Sequence, residues 1–505
     1  MGIFFSKPEA PGTAEALRKA GIQVLSPDEP EYEERNKSYW SNSAKLSPKL
    51  IVRPRDASEV SIVIKQLVAA GEVFAVRSGG HTQWAGSNNI QDGITIDLGR
   101  LDWTRYDAET EMVDIGPGGR WRDVYTKLAP HGRVVAGGRE GNVGVAGLIL
   151  GGGNTFYTAR YGFACDNVSS FEVVLADGRI VTASADDAQN SSLFWALKGG
   201  SNNFGIVTNF RMRAIESGAI WGGLTFYPPQ VTEPAIEALV DFTASIRKDV
   251  DSNMLCFFAY TDTTVFAFNK RLTRLKPKPQ FKGLGIATLF VQTAGVEKAP
   301  AYDKFLSLPS VMSTCGTTTV VDLVSSPQNN LPTDYHDIWF TATFKNDARI
   351  VRKAVELHES LVADLQAHIP DGDFWTQCLF QPLPKLFGEN SAKSGGNAMG
   401  VERQKVDGLL FQAAAMVRTP EHEAFAYPKI KAWLEAVREF ATAEVDGGLL
   451  DWTYLNYADR SQDPLRSYGA ANVKRLKDVA VRYDPDGVFQ KLCPGGFKIS
   501  PIRTD

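Results

Sequence analysis

Apolar positions along the chain change period several times, and each change marks an element. Residues 51–76 read as strand, helix, strand. Asp56 and Glu59 stand at capping-box spacing, Val60, Val63, Ile64, Leu67 and Val68 share one helical face, and Gly71 stops the helix. A more polar stretch precedes this unit, with a helix predicted at Gly12–Ala20. Strands follow at Thr95–Leu98 and Met112–Ile115, then a helix at Arg120–Ala129. Phe171–Leu175 and Arg179–Thr182 form a predicted hairpin around Asp177-Gly178, trailed by a short helix at Ser192–Leu197, a loop to Gly205 and a strand at Ile206–Met212.

Beyond about residue 215 the texture shifts. Alternating strands are predicted at Gly222–Phe226, Met254–Tyr260, Thr264–Asn269, Ala287–Thr293 and Leu409–Val417, with a surface turn at Leu275–Pro279. Amphipathic helices at Glu233–Arg247, Ala348–His368 and Tyr427–Ala443 lie between them, which predicts a sheet backed by helices. The tail carries a helix at Asn472–Arg482 and a stop at Tyr483-Asp484-Pro485. The fold class is therefore α+β. No internal repeat is evident.

Composition narrows the picture. A chain of 505 residues has room for two or more domains. Its net charge of -4 gives no reason to expect a nucleic-acid partner. Its five cysteines are scattered and include no CxxC pair, so neither a disulfide framework nor a bound metal is expected. No apolar run is long enough to cross a membrane and no signal-peptide core is present, which fits a cytoplasmic protein. Met1-Gly2-Ile3-Phe4-Phe5-Ser6 matches the myristoylation pattern or is simply a free terminus. The pattern carries no signal for assembly. His336, His358, His368 and His422 are expected to be solvated.

Two glycine-bearing stretches carry the candidate chemistry. The first is Arg77-Ser78-Gly79-Gly80-His81-Thr82-Gln83-Trp84-Ala85-Gly86, directly after an apolar strand. Paired glycines let such a turn aim several N–H groups at one anion, a nest suited to phosphate. The second runs from Gly137 to Gly153, where interleaved Val, Leu and Ile favour a buried, tightly packed segment over a linker. A nicotinamide dinucleotide fold would place GxGxxG between strand and helix. Gly141, Gly144 and Gly147 instead follow GxxGxxG, and GxSxG and HExxH are absent.

The motifs occur in a telling order: Arg77–His81, Asp97-Leu98, Gly116-Pro117-Gly118, the glycine segment, Tyr161-Gly162 with Asp166-Asn167-Val168, Gly199-Gly200 before Phe204-Gly205-Ile206-Val207, Tyr454-Leu455-Asn456-Tyr457, and Tyr483-Asp484-Pro485. The ordered set resembles the berberine-bridge-enzyme-like group of FAD-linked oxidases, in the vanillyl-alcohol-oxidase/PCMH flavoprotein superfamily. The resemblance is strong over about residues 45–215 and 450–500; between them only the texture matches. It implies a PCMH-type FAD-binding domain over residues 1–214, completed by 450–505. A substrate-binding domain over 215–449 would cover the flavin with an antiparallel sheet.

The resemblance also implies roles. His81 falls where relatives bond covalently to the flavin 8α-methyl; otherwise it is a loop histidine. Some relatives attach FAD again through a cysteine at the position of Glu140, so a single attachment is expected here. The remaining cofactor-binding positions implied are Arg77, Ser78, Gly79, Gly80, Thr82, Gly86, Pro117, Gly138, Val143, Gly144, Gly147, Gly151, Gly152, Asn154, Ile206, Val207 and Asn472. Val143 either leaves O2 a path to the ring or is a core valine, and Asn472 either reaches the flavin or caps its helix. Tyr454 and Tyr457 are the catalytic candidates, one serving as base, or else form a buried structural pair. Asp451, Tyr157, Gln377 and Gln412 are weaker candidates. The implied activity is an FAD-dependent oxidoreductase, an oxidase passing hydride from an alcohol, amine or secondary-metabolite intermediate to flavin and on to O2 with release of H2O2. A carbohydrate oxidase and a flavin-containing cyclase with little net redox chemistry are the alternatives. Partners are a small-molecule substrate and O2.

Overall fold

The computed structural model describes residues 12–261, 283–326 and 332–499. The strands β1 (Gln23–Leu25), β2 (Leu50–Arg53), β3 (Phe74–Arg77) and β4 (Ile94–Asp97) form a sheet in the order β1-β2-β4-β3. β4 runs parallel to both β2 and β3, setting Arg77 opposite Asp97. The crossover between β2 and β3 is the helix Ala57–Ala70. Asp56 Oδ1 accepts from Glu59 N at 2.8 Å to start it, and Gly71 ends it in the left-handed region at φ 65°. Val60, Val63, Ile64 and Leu67 are the face it buries.

A longer stretch supplies β5 (Thr104–Asp107), β6 (Met112–Ile115), β7 (Arg133–Val134), β8 (Val168–Val174), β9 (Ile180–Ser184), β10 (Ile206–Arg213) and β11 (Ile215–Glu216), from which a second, antiparallel sheet is built. Five of them order as β5-β6-β10-β8-β9, while β7 pairs with β11 apart. The glycine segment lies between β7 and β8 in the chain and contains the short helix Val145–Leu150.

The third sheet is antiparallel throughout. It comprises β12 (Ile220–Tyr227), β13 (Ser252–Thr261), β14 (Gly283–Gln292), β15 (Met312–Ser313), β16 (Gly316–Thr318), β17 (His336–Lys345), β18 (Phe374–Leu383), β19 (Gly408–Val417) and β20 (Leu449–Leu450). Its order is β15-β12-β14-β13-β18-β19-β17-β20, with β16 beside β12. The helices Thr232–Ser245, Ala348–His368 and Pro420–Glu444 back it. One apolar core runs from Val113 to Ile499 through the second and third sheets; the first sheet has its own.

Four expectations change. β17 and β18 give no alternating signal because nearly every residue in them is buried, helices covering one face and the cavity described below the other. The helix expected from Tyr427 begins at Pro420, in register with Thr419, whose hydroxyl caps it, and runs on through Pro428. His358 is not solvated: it is buried against Trp433 and hydrogen-bonded to Thr376 Oγ1 at 2.7 Å. His336 is nearly enclosed too, with Nδ1 2.8 Å from Glu423 Oε2. The expected strand Thr264–Asn269, the turn Leu275–Pro279 and the segment Met1–Ser6 lie outside the described residues.

Candidate active site

The loop after β3 is built from behind. Arg77 is buried and donates to Arg35 O at 2.7 Å and to Ser38 O at 3.0 Å, with its guanidinium 3.7 Å above the Tyr39 ring. Beyond that anchor the chain turns at Gly80, where φ is +67°. The backbone N–H groups of Gly79, Gly80, His81 and Thr82 find no protein acceptor among the described residues. Successive free N–H groups on a glycine turn form an anion nest.

The glycine segment meets this loop backbone to backbone. A Cβ on Gly79 would sit 2.5 Å from Gly144 Cα, and one on Gly144 would sit 2.5 Å from Gly79 N. Arg120 clamps the junction, donating to Gly79 O at 2.8 Å and to Asn142 O. Ser78 Oγ donates to Pro117 O at 2.5 Å. The loop therefore has little freedom to move away from the floor laid by Gly144 and Gly147.

One cavity opens above that floor. Ile206 and Val207 of β10 wall it on one side, and the third sheet roofs it with Leu224, Leu255, Phe257 and Leu379. The tail closes it with Tyr454, Asn456 and Tyr457 from a short 3-10 turn. Among the described residues lining it, the charged side chains are Arg139 and Glu140, and His81 adds an imidazole.

Polar groups gather where the roof meets the tail. Tyr457 OH accepts from Gln381 Nε2 at 3.0 Å and from Arg139 Nη2 at 3.3 Å, and its ring stands edge-on to Trp339 at 5.7 Å. Arg139 also donates to Gln381 Oε1 at 2.5 Å. Tyr454 is different: it is fully buried, its OH accepts from Asn154 N at 2.7 Å, and burial pushes its phenol above the usual range. Two buried donors, Trp339 Nε1 and Gln412 Nε2, have no protein partner although their side chains line the cavity.

His81 projects at the other end of the floor. Its ring stacks on Trp40 at 4.4 Å with 9° between planes, and its Nε2 lies 3.6 Å from Glu140 Oε2. Burial, aided by the nearby Arg120 cation, holds the imidazole neutral, its pKa lowered to about 3. Burial pushes the Glu140 carboxyl up to about 7, against hydrogen bonds from Asn142 N at 2.8 Å and Nδ2 at 3.2 Å. The pair is thus a neutral imidazole beside a carboxyl that changes charge near neutrality.

The structure brings Ser78, Gly79, Gly80, His81, Thr82, Val143, Gly144, Gly147, Asn154, Ile206, Val207, Tyr454 and Tyr457 to one cavity, together with Gln377 and Gln412. Arg77, Gly86, Pro117, Gly138, Gly151, Gly152 and Asn472 stand behind it. Gly138 packs on Trp121, Gly151 on Asn456 and Gly152 on Met399, each too close for a Cβ. Asn472 is the third residue of the helix Ala470–Tyr483, whose N-cap is Gly469; it donates to Ala398 O at 3.2 Å. Tyr157 and Asp451 do not line the cavity. Arg139, Gln381, Trp339 and Trp40 escaped the sequence reading. Arg139 was visible within the glycine segment, whereas Trp339 and Gln381 belong to the two strands with no alternation.

A free N–H nest, a floor where backbone replaces side chains and an apolar wall suit the pyrophosphate and flat ring system of a flavin nucleotide, and the residues present fit that group. Fold and site together define a flavin-dependent oxidoreductase. Residues 48–184 match the family model for an FAD binding domain. Across 495 residues the chain is 37% identical to the FAD-dependent monooxygenase drtC of Aspergillus calidoustus, covering 96% of this chain and 90% of that protein. It is 36% identical over 483 residues to the FAD-dependent monooxygenase sdcF of Emericella nidulans, covering 95% and 96%. In fold it is similar to 6-hydroxy-D-nicotine oxidase of Arthrobacter nicotinovorans, with a TM-score of 0.74, 20% identity and coverage of 95% and 98%. The chain belongs to the family of FAD-linked oxidoreductases that includes these two fungal relatives. No described helix is long and apolar enough to cross a membrane.

Proposed function

We propose that this protein is an oxidase that removes hydride from a neutral, mostly apolar small molecule bearing acceptor oxygens, with O2 as the final acceptor. The observation that carries it is the cavity itself: an anion nest at one end, and at the other Tyr457 hydrogen-bonded to Arg139 and Gln381 under an apolar roof. Bound FAD supplies the two-electron acceptor, which O2 re-oxidises with release of H2O2. The loop Ser78–Thr82 would hold the cofactor's pyrophosphate, Gly144 and Gly147 would leave room for its ring system, and His81 would tether it through a single covalent bond. Residues 1–214 with 450–505 make the cofactor side, and 215–449 the substrate side.

The protein's part in the chemistry is proton removal and orientation. Tyr457 takes the substrate proton. Its hydroxyl accepts from Arg139 Nη2 at 3.3 Å and from Gln381 Nε2 at 3.0 Å, which fix it at the cavity wall where a substrate proton would be taken. Trp339 Nε1 and Gln412 Nε2 are unpaired donors that a substrate carbonyl or ether oxygen would satisfy; left buried and unpaired, such a group costs about 1–3 kcal/mol. A roof of Leu and Phe with few acceptors suits a polycyclic secondary-metabolite intermediate better than a polyol, which sets the carbohydrate-oxidase reading second.

The relatives named monooxygenases supply the competing chemistry, and isotope labelling separates the two. Turnover of phenolic and polyketide substrates under 18O2 is expected to yield one H2O2 per product, with no label in the product. Label in the product would replace the oxidase with a monooxygenase. A flavin that substrate fails to bleach under anaerobic stopped flow would point to a cyclase.

A further inference from the structure

We infer that Glu140 is the proton acceptor for covalent attachment of the flavin to His81, so that the enzyme carries out its own tethering. The inference rests on the His81 tether proposed above and concerns a residue to which nothing so far gives a role.

The geometry supports it on several sides. Glu140 Oε2 approaches His81 Nε2 at 3.6 Å, longer than a hydrogen bond but within reach of one once the ring is loaded against the floor. Asn142 holds the carboxylate from two sides, and Trp40 fixes the plane of the imidazole. A carboxylate facing Nε2 selects the Nε2–H tautomer and leaves the Nδ1 lone pair to form the bond. Among the described residues, the charged groups that act on this pair are Arg120, held on Gly79 O and Asn142 O and lowering the pKa of both, and Arg139, which adjoins Glu140 in the chain and lines the same cavity.

A bond forms between Nδ1 and the flavin 8α carbon. The 8α carbon loses one hydrogen as a proton, and the imidazole loses its Nε2 proton to Glu140. The electron pair released passes into the ring system and from there to O2, giving H2O2. A neutral imidazole is a weak nucleophile whose cationic product would be buried; removal of the second proton by an adjacent carboxylate avoids that charge. Burial sets the Glu140 carboxyl at about 7, so the carboxylate form, and with it the rate, rises through neutrality and then levels off.

The test uses full-length protein made under riboflavin limitation, then mixed with FAD at pH 6 to 9. Attachment is followed as yellow colour that survives acid precipitation and as mass added to the chain; bound but unattached FAD is followed by absorbance. Wild-type protein is expected to attach FAD with a rate inflecting near pH 7. E140Q is expected to bind FAD yet attach it at least tenfold more slowly, without the inflection, and formate is expected to restore part of the rate in E140A. An E140Q protein that attaches FAD at the wild-type rate and with the wild-type pH profile overturns the inference. So does E140A that binds FAD but gains nothing from formate, or an E140Q that neither folds nor binds while E140D attaches at full rate with an unshifted profile. Wild-type protein that releases all its colour to the acid supernatant removes the tether itself, a distinct failure.

Discussion

Two tyrosines of one motif divide their work through their partners. Tyr457 has a cation and an amide on its hydroxyl and faces the cavity; Tyr454 spends its hydroxyl on Asn154 N in a fully buried place. Y457F is therefore expected to lower kcat by about 10²–10⁴-fold with little change in stability. Y454F should instead lower the denaturation midpoint and leave less FAD bound. Equal kcat losses in both variants would end this division of labour. Asp97 makes a different claim. Its burial opposes ionisation, but the two-pronged contact with Arg35, the nearby Arg77 and Gly99 N at 2.8 Å outweigh that, and its pKa is lowered. A depressed carboxyl stabilises the fold above its unfolded value near 3.9, and the contribution disappears as pH falls through the lower folded value. D97N leaves Arg35 uncompensated and is expected to cost about 3–5 kcal/mol at pH 7, read by urea unfolding, with a flatter acid limb than wild type.

At the scale of elements, the chain's own pattern foretells most of what frames the cofactor and much less of what frames the substrate. The helix Ala57–Ala70 was readable because cap, stripe and stop coincide on one solvent-facing element. β17 and β18 were not, because burial on both faces erases alternation and leaves Thr341, Thr343 and Gln381 in the interior. Leu379 of the roof sits on those strands with Trp339 and Gln381, whereas Leu224, Leu255 and Phe257 sit on strands with a readable pattern, so only part of the substrate side could be assembled from local signals, and Trp339 and Gln381 needed long-range pairing to be found. The glycine segment lies between these cases. Its density announced close approach, but only the structure separates Gly144, pressed on the loop, from Gly151 and Gly152, pressed on Asn456 and Met399. G144A would force its Cβ into Gly79 N, and FAD affinity is expected to drop at least about tenfold, roughly 1.4 kcal/mol, with circular dichroism unchanged. Normal flavin loading in G144A would show that the two backbones need not touch.

Over the whole molecule, the cofactor side and the third sheet are locked by a buried knot. Lys198, from the loop after the helix Ser191–Leu197, donates to Gly396 O at 2.7 Å and lies 3.4 Å from Asp166, which also accepts from Ser391 Oγ at 2.6 Å and Asn397 Nδ2 at 3.0 Å. Both charges are almost wholly enclosed. K198M strands the Asp166 carboxylate and is expected to destabilise the protein by about 3–5 kcal/mol, visible as early loss of flavin on thermal melting. A melting profile like that of wild type would mean the two halves hold together without it. The tail completes the enclosure from the far edge. β20 pairs with β17 at Thr343 and Phe344, the chain then crosses to place Tyr454 and Tyr457, and Phe497 ends beside Trp84. On a ribosome, these parts of the cleft emerge after every strand of the roof. A nascent chain can hold the nest, the floor and the roof but not Tyr454 and Tyr457, so full enclosure of the vitamin-derived group waits on the last part of the cleft to be made.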